Sequence, residues 1–221
     1  GAEIEPCEQP GLCDECLGDL VATQSACRRC ASPLADTIPS DSCHHCRQAN
    51  LSFSQAWRLG NYEGTMRQVV LRIKHSPERA LAVALADALV DTCASHFGQL
   101  GLDAIVPVPM HWTRRAWRGM NSQTIIATRL ASRMDVPMAG HLLSRSRRTA
   151  PQASLSPRKR KANVRGAFRV RPHSDLPGAT ILLVDDIMTT GATLNEAARE
   201  LVKAGAREVA VAVLARAEAQ A

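Results

Sequence analysis

One segment of this 221-residue sequence constrains the fold more than any other, the run Ile181–Thr193. Its four aliphatic residues, Ile181–Val184, predict a buried strand, and two carboxylates, Asp185 and Asp186, follow at the carboxyl end of that strand. A loop of small and hydroxyl-bearing residues then leads into a predicted helix that begins near Ala192. Because ligands in open α/β sheets bind at the carboxyl ends of the strands, this segment predicts a ligand site.

The same segment predicts a receptor for a sugar 5-phosphate. The loop consists of Thr189, Thr190, Gly191, Ala192 and Thr193. Its backbone N–H groups and the helix dipole favour a phosphate monoester, and the threonine hydroxyls can add hydrogen bonds. Gly191 lets the backbone close around the phosphate oxygens. Asp185 and Asp186 offer acceptors suited to a diol, so phosphate and sugar hydroxyls can be bound side by side.

Two other interpretations fit part of this segment. Four aliphatic residues followed by Asp-Asp are also typical of the Walker B strand of a P-loop ATPase. Such an ATPase needs a Gly-Lys-Ser/Thr motif, yet none of the four lysines of the chain precedes Ser or Thr. The simpler alternative is a capped helix after a buried strand, with Asp185 and Asp186 merely solvated.

Strands alternate with helices through the rest of the chain. Periodicity predicts helices over Gly64–His75 and Pro77–His96, and a short strand over Ala104–Val108. A further helix over Ala192–Ala204 and a strand over Val209–Leu214 complete the series. Alternation of this kind predicts an α/β fold with a twisted parallel sheet, right-handed crossovers and flanking helices.

Composition excludes several classes of protein. With 45% hydrophobic residues the chain can bury a sizeable core, whereas 3% aromatic residues argue against a base-stacking surface for single strands. The most apolar helix candidate, Leu81–Val90, is interrupted by Asp87, so we expect no membrane insertion. The first residues, Gly1–Glu5, lack an initiator Met and a signal-peptide pattern, and we expect that the native N-terminus is cut away.

Seven of the eight cysteines lie within the first 46 residues. Six of them form C-x-x-C pairs, namely Cys13/Cys16, Cys27/Cys30 and Cys43/Cys46. Two thiolates at this spacing meet on one turn and hold one tetrahedral ion, whereas disulfides gain most by joining distant segments. The pattern therefore favours structural Zn²⁺ over a disulfide framework, and a reduced, cytoplasmic protein. We predict a cysteine-rich zinc module over residues 1–50 and an α/β domain over residues 51–221.

The segment Ser144–Arg171 carries ten Lys or Arg residues and no acid, with Pro and Ser interspersed. Together with the net charge of +6, it favours an anionic partner. We interpret the segment as a mobile basic flap whose central cations are Arg158, Lys159, Arg160 and Lys161. Three roles stay open: a lid over a diphosphate, a contact for nucleic acid phosphates, or a solvated linker.

Residues 181–193 resemble the phosphoribosyl-diphosphate (PRPP) loop of type I phosphoribosyltransferases. The rest of the chain is similar to the ComF/GntX family, bacterial proteins that join a cysteine-rich zinc module to such a domain. The likeness rests on Ile105–Pro109, on Arg114, Arg115 and Arg118–Asn121, on Arg148–Ser156, and on Leu71–Lys74. It implies a type I phosphoribosyltransferase fold with an N-terminal double zinc ribbon.

The resemblance implies transfer of ribose 5-phosphate from PRPP with Mg²⁺, if catalysis is retained. Asp185 and Asp186 would be the catalytic pair that holds the 2- and 3-hydroxyls and opposes the positive charge at the anomeric carbon. Candidates for the pyrophosphate side are Val108, Pro109, Arg114, Arg115, Arg118 and Lys74. The arginines are equally compatible with a solvated basic turn, and Lys74 with a lysine that snorkels from a helix end.

For the metal, the resemblance implies a complete site at Cys27, Cys30, Cys43 and Cys46. The family usually carries four knuckles and this chain has three, so a second site at Cys13 and Cys16 would need Cys7, His44 or His45 as a substitute. Both histidines also fit exposed loop positions. Cys93, isolated in a predicted helix, is expected to be a small core residue.

The family's association with competence implies a role in DNA uptake. Expected partners are single-stranded DNA and a helicase-like competence protein. The alternative function is a non-catalytic adaptor that binds nucleic acid or a helicase through the zinc module and the basic flap. A four-cysteine zinc site leaves no open position for water, which favours docking over catalysis for the module.

Overall fold

The computed structural model describes residues 12–35, 43, 44, 46, 49–75, 78–110, 122–147, 149, 150, 156–172 and 176–217. In chain order its elements are α1 (Asp14–Leu20), β1 (Gln55–Asn61), α2 (Gly64–His75), α3 (Arg79–Phe97), β2 (Ala104–Pro107), α4 (Ser122–Met134), β3 (Leu143–Arg145), α5 (Pro157–Val164), β4 (Phe168–Val170), β5 (Thr180–Met188), α6 (Ala192–Lys203) and β6 (Glu208–Arg216).

Four parallel strands form the main sheet in the order β1-β6-β5-β2. Alternate residues of the central strands pack on opposite faces. Leu182 and Val184 of β5 lie in the cluster formed with α2, α3 and α4, whereas Ile181 and Leu183 lie in the cluster formed with α6, β3 and β4. The sheet is therefore covered on both faces, as the α/β prediction requires.

Helix α3 is the one helix in the described part of the chain that is long and apolar enough to cross a membrane by length and composition. Its most apolar window has a mean hydropathy of 1.3, and half of that window is buried inside the protein. Asp87 in this helix accepts hydrogen bonds from Arg129 of α4 at 2.7 and 3.0 Å and from Arg133 at 2.8 Å. These contacts are those of a core helix.

The described N-terminal residues pack along β1, an edge strand of the sheet. The Ala22 N–H donates to the Leu59 carbonyl at 2.9 Å, and the Ala56 N–H donates to the Arg28 carbonyl at 2.9 Å. At Gly60 an added Cβ would lie 2.1 Å from the Leu20 carbonyl oxygen, so only glycine permits this approach. The boundary at residue 50 stays a prediction, and these contacts hold the two predicted parts together.

The basic segment contains more regular structure than the sequence predicted. Strands β3 and β4 pair antiparallel, and α5 lies between them in the chain. Asn163 of α5 exchanges two hydrogen bonds with the backbone of Ala150, at 3.0 and 3.1 Å. Arg147 donates to the carbonyls of Asn163 and Arg165 at 2.7 and 2.9 Å. The described part of the predicted flap thus contains a two-stranded antiparallel sheet and a helix, with hydrogen bonds between the segment after β3 and the end of the helix.

Candidate functional site: an acid pair beside a glycine turn

The acid pair lies within a strand and not after it. The sequence predicts a strand that ends at Val184, but β5 continues to Met188 because its pairing with β6 continues to that residue. Asp185 is consequently only 8% exposed and Asp186 only 3% exposed. Two adjacent buried carboxylates need partners, because an unpaired buried charge is strongly unfavourable. The alternative of merely solvated acids does not fit this burial.

The start of α4 supplies neutral hydrogen-bond donors to the pair. Gln123 Nε2 donates to Asp185 Oδ1 and to Asp186 Oδ2, each at 3.1 Å. Ser122 Oγ donates to Asp186 Oδ2 at 3.4 Å. Sequence reasoning did not identify Gln123 as a site residue. The only signal was its position just after the segment that resembles the family's conserved arginine–glycine motif.

Lys74, in the last turn of α2, supplies the positive charge. Its Nζ lies 3.1 Å from Asp186 Oδ1, and its side chain is 30% exposed while that of Asp186 is 4% exposed. A snorkelling lysine would extend into solvent, whereas Lys74 reaches a buried carboxylate. The structure thus places this pyrophosphate-side candidate directly at the acid pair.

The surroundings of Asp185 disfavour its ionised form. Burial, followed by the negative charge of Asp186, raises the pKa of Asp185 to about 7. Lys74, the Asp186 N–H and the Gln123 amide oppose this rise in pKa. The protonated form of Asp185 is therefore favoured up to a higher pH than that of an ordinary aspartate.

The loop after β5 makes a left-handed turn that leads directly into α6. Gly191 has φ +73°, a left-handed conformation that glycine adopts without strain, and α6 begins at the next residue. The Gly191 carbonyl accepts the Asn195 N–H at 2.8 Å, which is the first turn of that helix. The Ala192 N–H lies 3.4 Å from Thr190 Oγ1, and Thr189, Thr190 and Thr193 are half-buried.

A buried arginine lies behind this loop. Arg216, the last residue of β6, pairs in register with Met188 and is 3% exposed. Its Nη1 donates to the carbonyl of Met188 at 3.2 Å and to the carbonyls of Thr189 and Ala217. Burial lowers the pKa of this guanidinium. Sequence reasoning missed Arg216, because only strand pairing brings it next to the loop.

The turn predicted for the pyrophosphate side offers few donors. The Val108 N–H donates to the Val184 carbonyl at 2.8 Å, so it extends the pairing of β2 with β5. Pro107 and Pro109 have no N–H to offer. The three candidate arginines of this turn, Arg114, Arg115 and Arg118, lie outside the described residues.

Four cysteines meet at a second place. The Sγ atoms of Cys27, Cys30, Cys43 and Cys46 all lie within 4.8 Å of one another. The distances Cys27–Cys46 and Cys30–Cys43 are both 3.6 Å, close to the ~3.8 Å between sulfurs that tetrahedral Zn–S bonds of about 2.3 Å require. None of the seven described cysteines forms a disulfide. This set fits a tetrahedral metal ion such as zinc.

The remaining predicted ligands do not join that cluster in the described part of the chain. Cys13 and Cys16 are exposed, and Cys13 Sγ accepts the Cys16 N–H at 3.5 Å at the start of α1. His44 is exposed, and Cys7 and His45 lie outside the described residues. Cys93 is buried in α3, where burial raises its pKa to about 11, as expected of a core thiol.

We expect the substitution Asp185→Asn to change how stability depends on pH. The folded-state pKa near 7 exceeds the unfolded value near 4, so the folded wild type binds more protons within that window and loses stability as pH rises. Asn keeps the acceptor but carries no proton. The free energy of unfolding of Asp185→Asn relative to wild type should therefore rise between pH 5 and 7, by up to ~1.4 kcal/mol per unit, and level off above 7.

Urea unfolding at several pH values measures this difference. The control is Asp87→Asn. Partial burial raises the pKa of Asp87, but hydrogen bonds from Arg129 and Arg133 hold it below the ordinary value. Its contribution to stability is complete above pH 5, so the difference between Asp87→Asn and wild type should stay constant from pH 5 to 7. An equally flat profile for Asp185→Asn would contradict the assignment.

Comparison with known proteins finds a matching domain family and several relatives. The phosphoribosyl transferase domain family matches residues 124–221. The chain is 33% identical to DNA utilization protein YhgH of Salmonella typhimurium strain LT2, over 93% of this chain and 90% of that protein. It is 32% identical to competence protein F of Haemophilus influenzae, over 94% and 91%. A purine phosphoribosyltransferase from Pyrococcus horikoshii is 22% identical, with a TM-score of 0.40, over 60% of this chain and 72% of that one.

These findings confirm the predicted fold class, a phosphoribosyltransferase fold whose parallel sheet is flanked by helices, with an N-terminal cysteine cluster compatible with a zinc module. A domain of this family implies a phosphorylated sugar ligand such as PRPP. Relatives more than 30% identical over nine-tenths of both chains carry the competence and DNA-utilization names. The chain therefore belongs to the ComF/GntX family.

Proposed function

We propose that this protein binds PRPP together with Mg²⁺ at the carboxyl end of β5 and acts in competence-related DNA uptake. The observation that carries the proposal is the buried acid pair, Asp185 and Asp186, next to the glycine turn that opens α6. The acids supply acceptors for a diol, and the helix N-terminus supplies a field that favours a phosphate monoester. Because the acids and the helix N-terminus are adjacent in one strand–turn–helix unit, they can bind the hydroxyls and the phosphate of one ribose 5-phosphate.

Binding of the sugar requires an exchange of hydrogen bonds at the acids. In the structure, Gln123 donates to both carboxylates and Lys74 pairs with Asp186. The 2- and 3-hydroxyls of a ribose are donors of the same kind, so they can replace the Gln123 amide without leaving a buried acceptor unpaired. Lys74 can keep the pair neutralised during this exchange.

If transfer occurs, the bond between the anomeric carbon and the diphosphate oxygen breaks, and its electron pair leaves with pyrophosphate. Positive charge then develops on the ribose, and the carboxylates of Asp185 and Asp186 stabilise it at short range. The loop Thr189–Thr193 fixes the 5-phosphate and so the orientation of the ring. Bound Mg²⁺ would neutralise the leaving group. The bond to the incoming nucleophile forms on the carbon that these residues hold.

PRPP with Mg²⁺ should raise the melting temperature of the wild-type protein. At a ligand concentration 100 times the Kd, binding stabilises the folded state by ~2.7 kcal/mol. Asp186→Asn replaces one of the two acceptor oxygens with an amide donor and removes the negative charge that pairs with Lys74, and should abolish the shift. The measurement is thermal unfolding with PRPP, ribose 5-phosphate or single-stranded DNA.

The control for this experiment is Asp91→Asn. Asp91 is an acid of α3 whose side chain is 65% exposed and pairs with Arg133. This variant should respond to PRPP as the wild type does. A wild-type protein that melts at the same temperature with and without millimolar PRPP and Mg²⁺ would refute the sugar-phosphate site.

We further propose that the four-cysteine cluster holds one structural Zn²⁺. The support is geometric, because the four Sγ atoms lie within 4.8 Å of one another and can surround one ion. Four thiolates complete a tetrahedral shell, so the ion would act structurally. Reduced thiols of this kind support the proposal of a cytoplasmic location.

Purified protein should therefore contain one zinc ion per chain, and Cys30→Ser should lose it. Metal content by mass spectrometry and the unfolding transition report the two consequences. Cys93→Ala, which removes a buried cysteine of α3 that is not a member of the cluster, should keep the metal. Metal-free protein with an unchanged unfolding transition would show that the ion has no structural role.

A second candidate function is favoured by the exposed cations on and after α5. Lys159, Lys161 and Arg165 are exposed, and residues 144–171 contain no acid. Such a surface can bind the phosphates of single-stranded DNA without stacking its bases. This function is compatible with PRPP binding, because it uses other residues of the domain. A helicase-like competence protein could dock on the cysteine module.

Replacing Lys159, Lys161 and Arg165 with Ala should flatten the salt dependence of single-stranded DNA binding. Each lost phosphate contact reduces the steepness of the plot of log K against log salt concentration by ~0.7. Loss of three contacts should therefore reduce the slope by about 2. The matched control removes three exposed cations elsewhere, Arg67, Arg79 and Lys203. Fluorescence anisotropy from 50 to 300 mM salt measures the slopes. Equal slopes for wild type and the α5 variant would exclude this surface.

A further inference from the structure

Arg216 lies where the candidate phosphate loop and the cysteine cluster meet. It ends β6, and its 3% exposure leaves the guanidinium almost without contact to water. A buried cation of this kind is unfavourable unless its donors are all used. The hydrogen bonds of Arg216 go in two directions.

Toward the loop, Nη1 donates to the carbonyls of Met188, at 3.2 Å, and Thr189. These two carbonyls immediately precede Thr190 and the left-handed Gly191. Holding them fixes the orientation of the peptide planes from which the loop starts. The direction of the following N–H groups, which would receive the phosphate, depends on those planes.

Toward the cysteines, Nε donates to the Cys30 carbonyl at 3.0 Å and Nη2 donates to Ser32 Oγ at 2.9 Å. Ser32 also belongs to the cysteine turn, because its carbonyl accepts the Cys27 N–H at 2.9 Å and its hydroxyl lies 3.3 Å from Cys30 Sγ. One rigid, planar group therefore contacts the turn that carries two cysteines and the loop that follows the acid pair.

Arg58 provides the comparison within the same fold. It is also buried, at 7% exposure, and it donates to the carbonyls of Ala31 and, at 3.5 Å, Gln24. In the described part of the chain it makes no hydrogen bond to Met188 or Thr189. Arg58 thus holds the cysteine segment on the sheet, whereas Arg216 alone of the two also reaches the loop.

We propose that Arg216 is a positioning residue that couples metal binding at the four cysteines to sugar-phosphate binding at the loop. This inference rests on the proposed function. A metal held by the cysteines fixes the turn from Cys30 to Ser32, the turn fixes the guanidinium, and the guanidinium fixes the carbonyls of Met188 and Thr189. Because coupling between two ligands is reciprocal, a sugar phosphate on the loop must tighten metal binding by the same factor.

The test uses the zinc-loaded full chain and measures zinc, not turnover. Zinc is titrated to equilibrium with a colorimetric chelator, with and without saturating ribose 5-phosphate. We expect ribose 5-phosphate to raise the chelator concentration at half release about fivefold or more, a coupling of ordinary size. Arg216→Lys keeps the charge but cannot bridge both sides, and should abolish this shift. Arg58→Lys should retain it.

Ser32→Ala removes the bond from Nη2 and the contact of the hydroxyl with Cys30 Sγ, but it leaves the bond from Nε to the Cys30 carbonyl. It should reduce the shift without abolishing it, which keeps the proposal testable if Arg216→Lys does not fold. A wild-type protein that binds no ribose 5-phosphate would refute the proposed function itself. A wild type that binds ribose 5-phosphate without a change in zinc retention would overturn only the coupling. An equal loss of the shift in Arg58→Lys and Arg216→Lys would overturn the role assigned to Arg216.

Discussion

Burial of two adjacent carboxylates is the constraint on which the site depends. Asp185 and Asp186 lie inside β5, where neither can rely on water. Their partners come from the end of α2 and the start of α4, as Lys74 and Gln123. These two helices cover one face of the central strand β5, so that the last turn of α2 and the first turn of α4 lie at its carboxyl end. The packing of α2 and α4 against β5 is thus consistent with the need to place a positive charge and hydrogen-bond donors beside Asp185 and Asp186.

The cysteine turn is hydrogen-bonded to the main sheet. It reaches the sheet through two buried arginines, Arg58 and Arg216, which extend from neighbouring strands. Burying two like charges close together is unfavourable, and burial together with their mutual repulsion lowers the pKa of Arg58. Carbonyl oxygens of the cysteine turn accept a hydrogen bond from each of the two side chains. Arg216 therefore lies between the cysteine turn and the loop of the candidate site.

Several elements were not predicted from the sequence, and the physical reasons can be identified. Strand β1 buries Arg58 and Gly60 along with its aliphatic residues, so it shows no hydrophobic alternation. Strands β3 and β4 have three residues each, too few for a period to be read, and α5 is built mostly from polar residues. These segments are stabilised by contacts with other elements, such as the bond from the Gly166 N–H to Glu196 at 2.6 Å.

The sequence by itself determined the strand, the acids, the glycine turn and the cysteine pairs, because each depends on residues close together in the chain. Only the tertiary structure decided which groups neutralise the acids and hold the loop. Gln123 is 62 residues from Asp185, and Arg216 is 186 residues from Cys30. Contacts at such separations follow from sheet order and helix packing, which bring the ends of distant elements together and leave no local pattern in the chain.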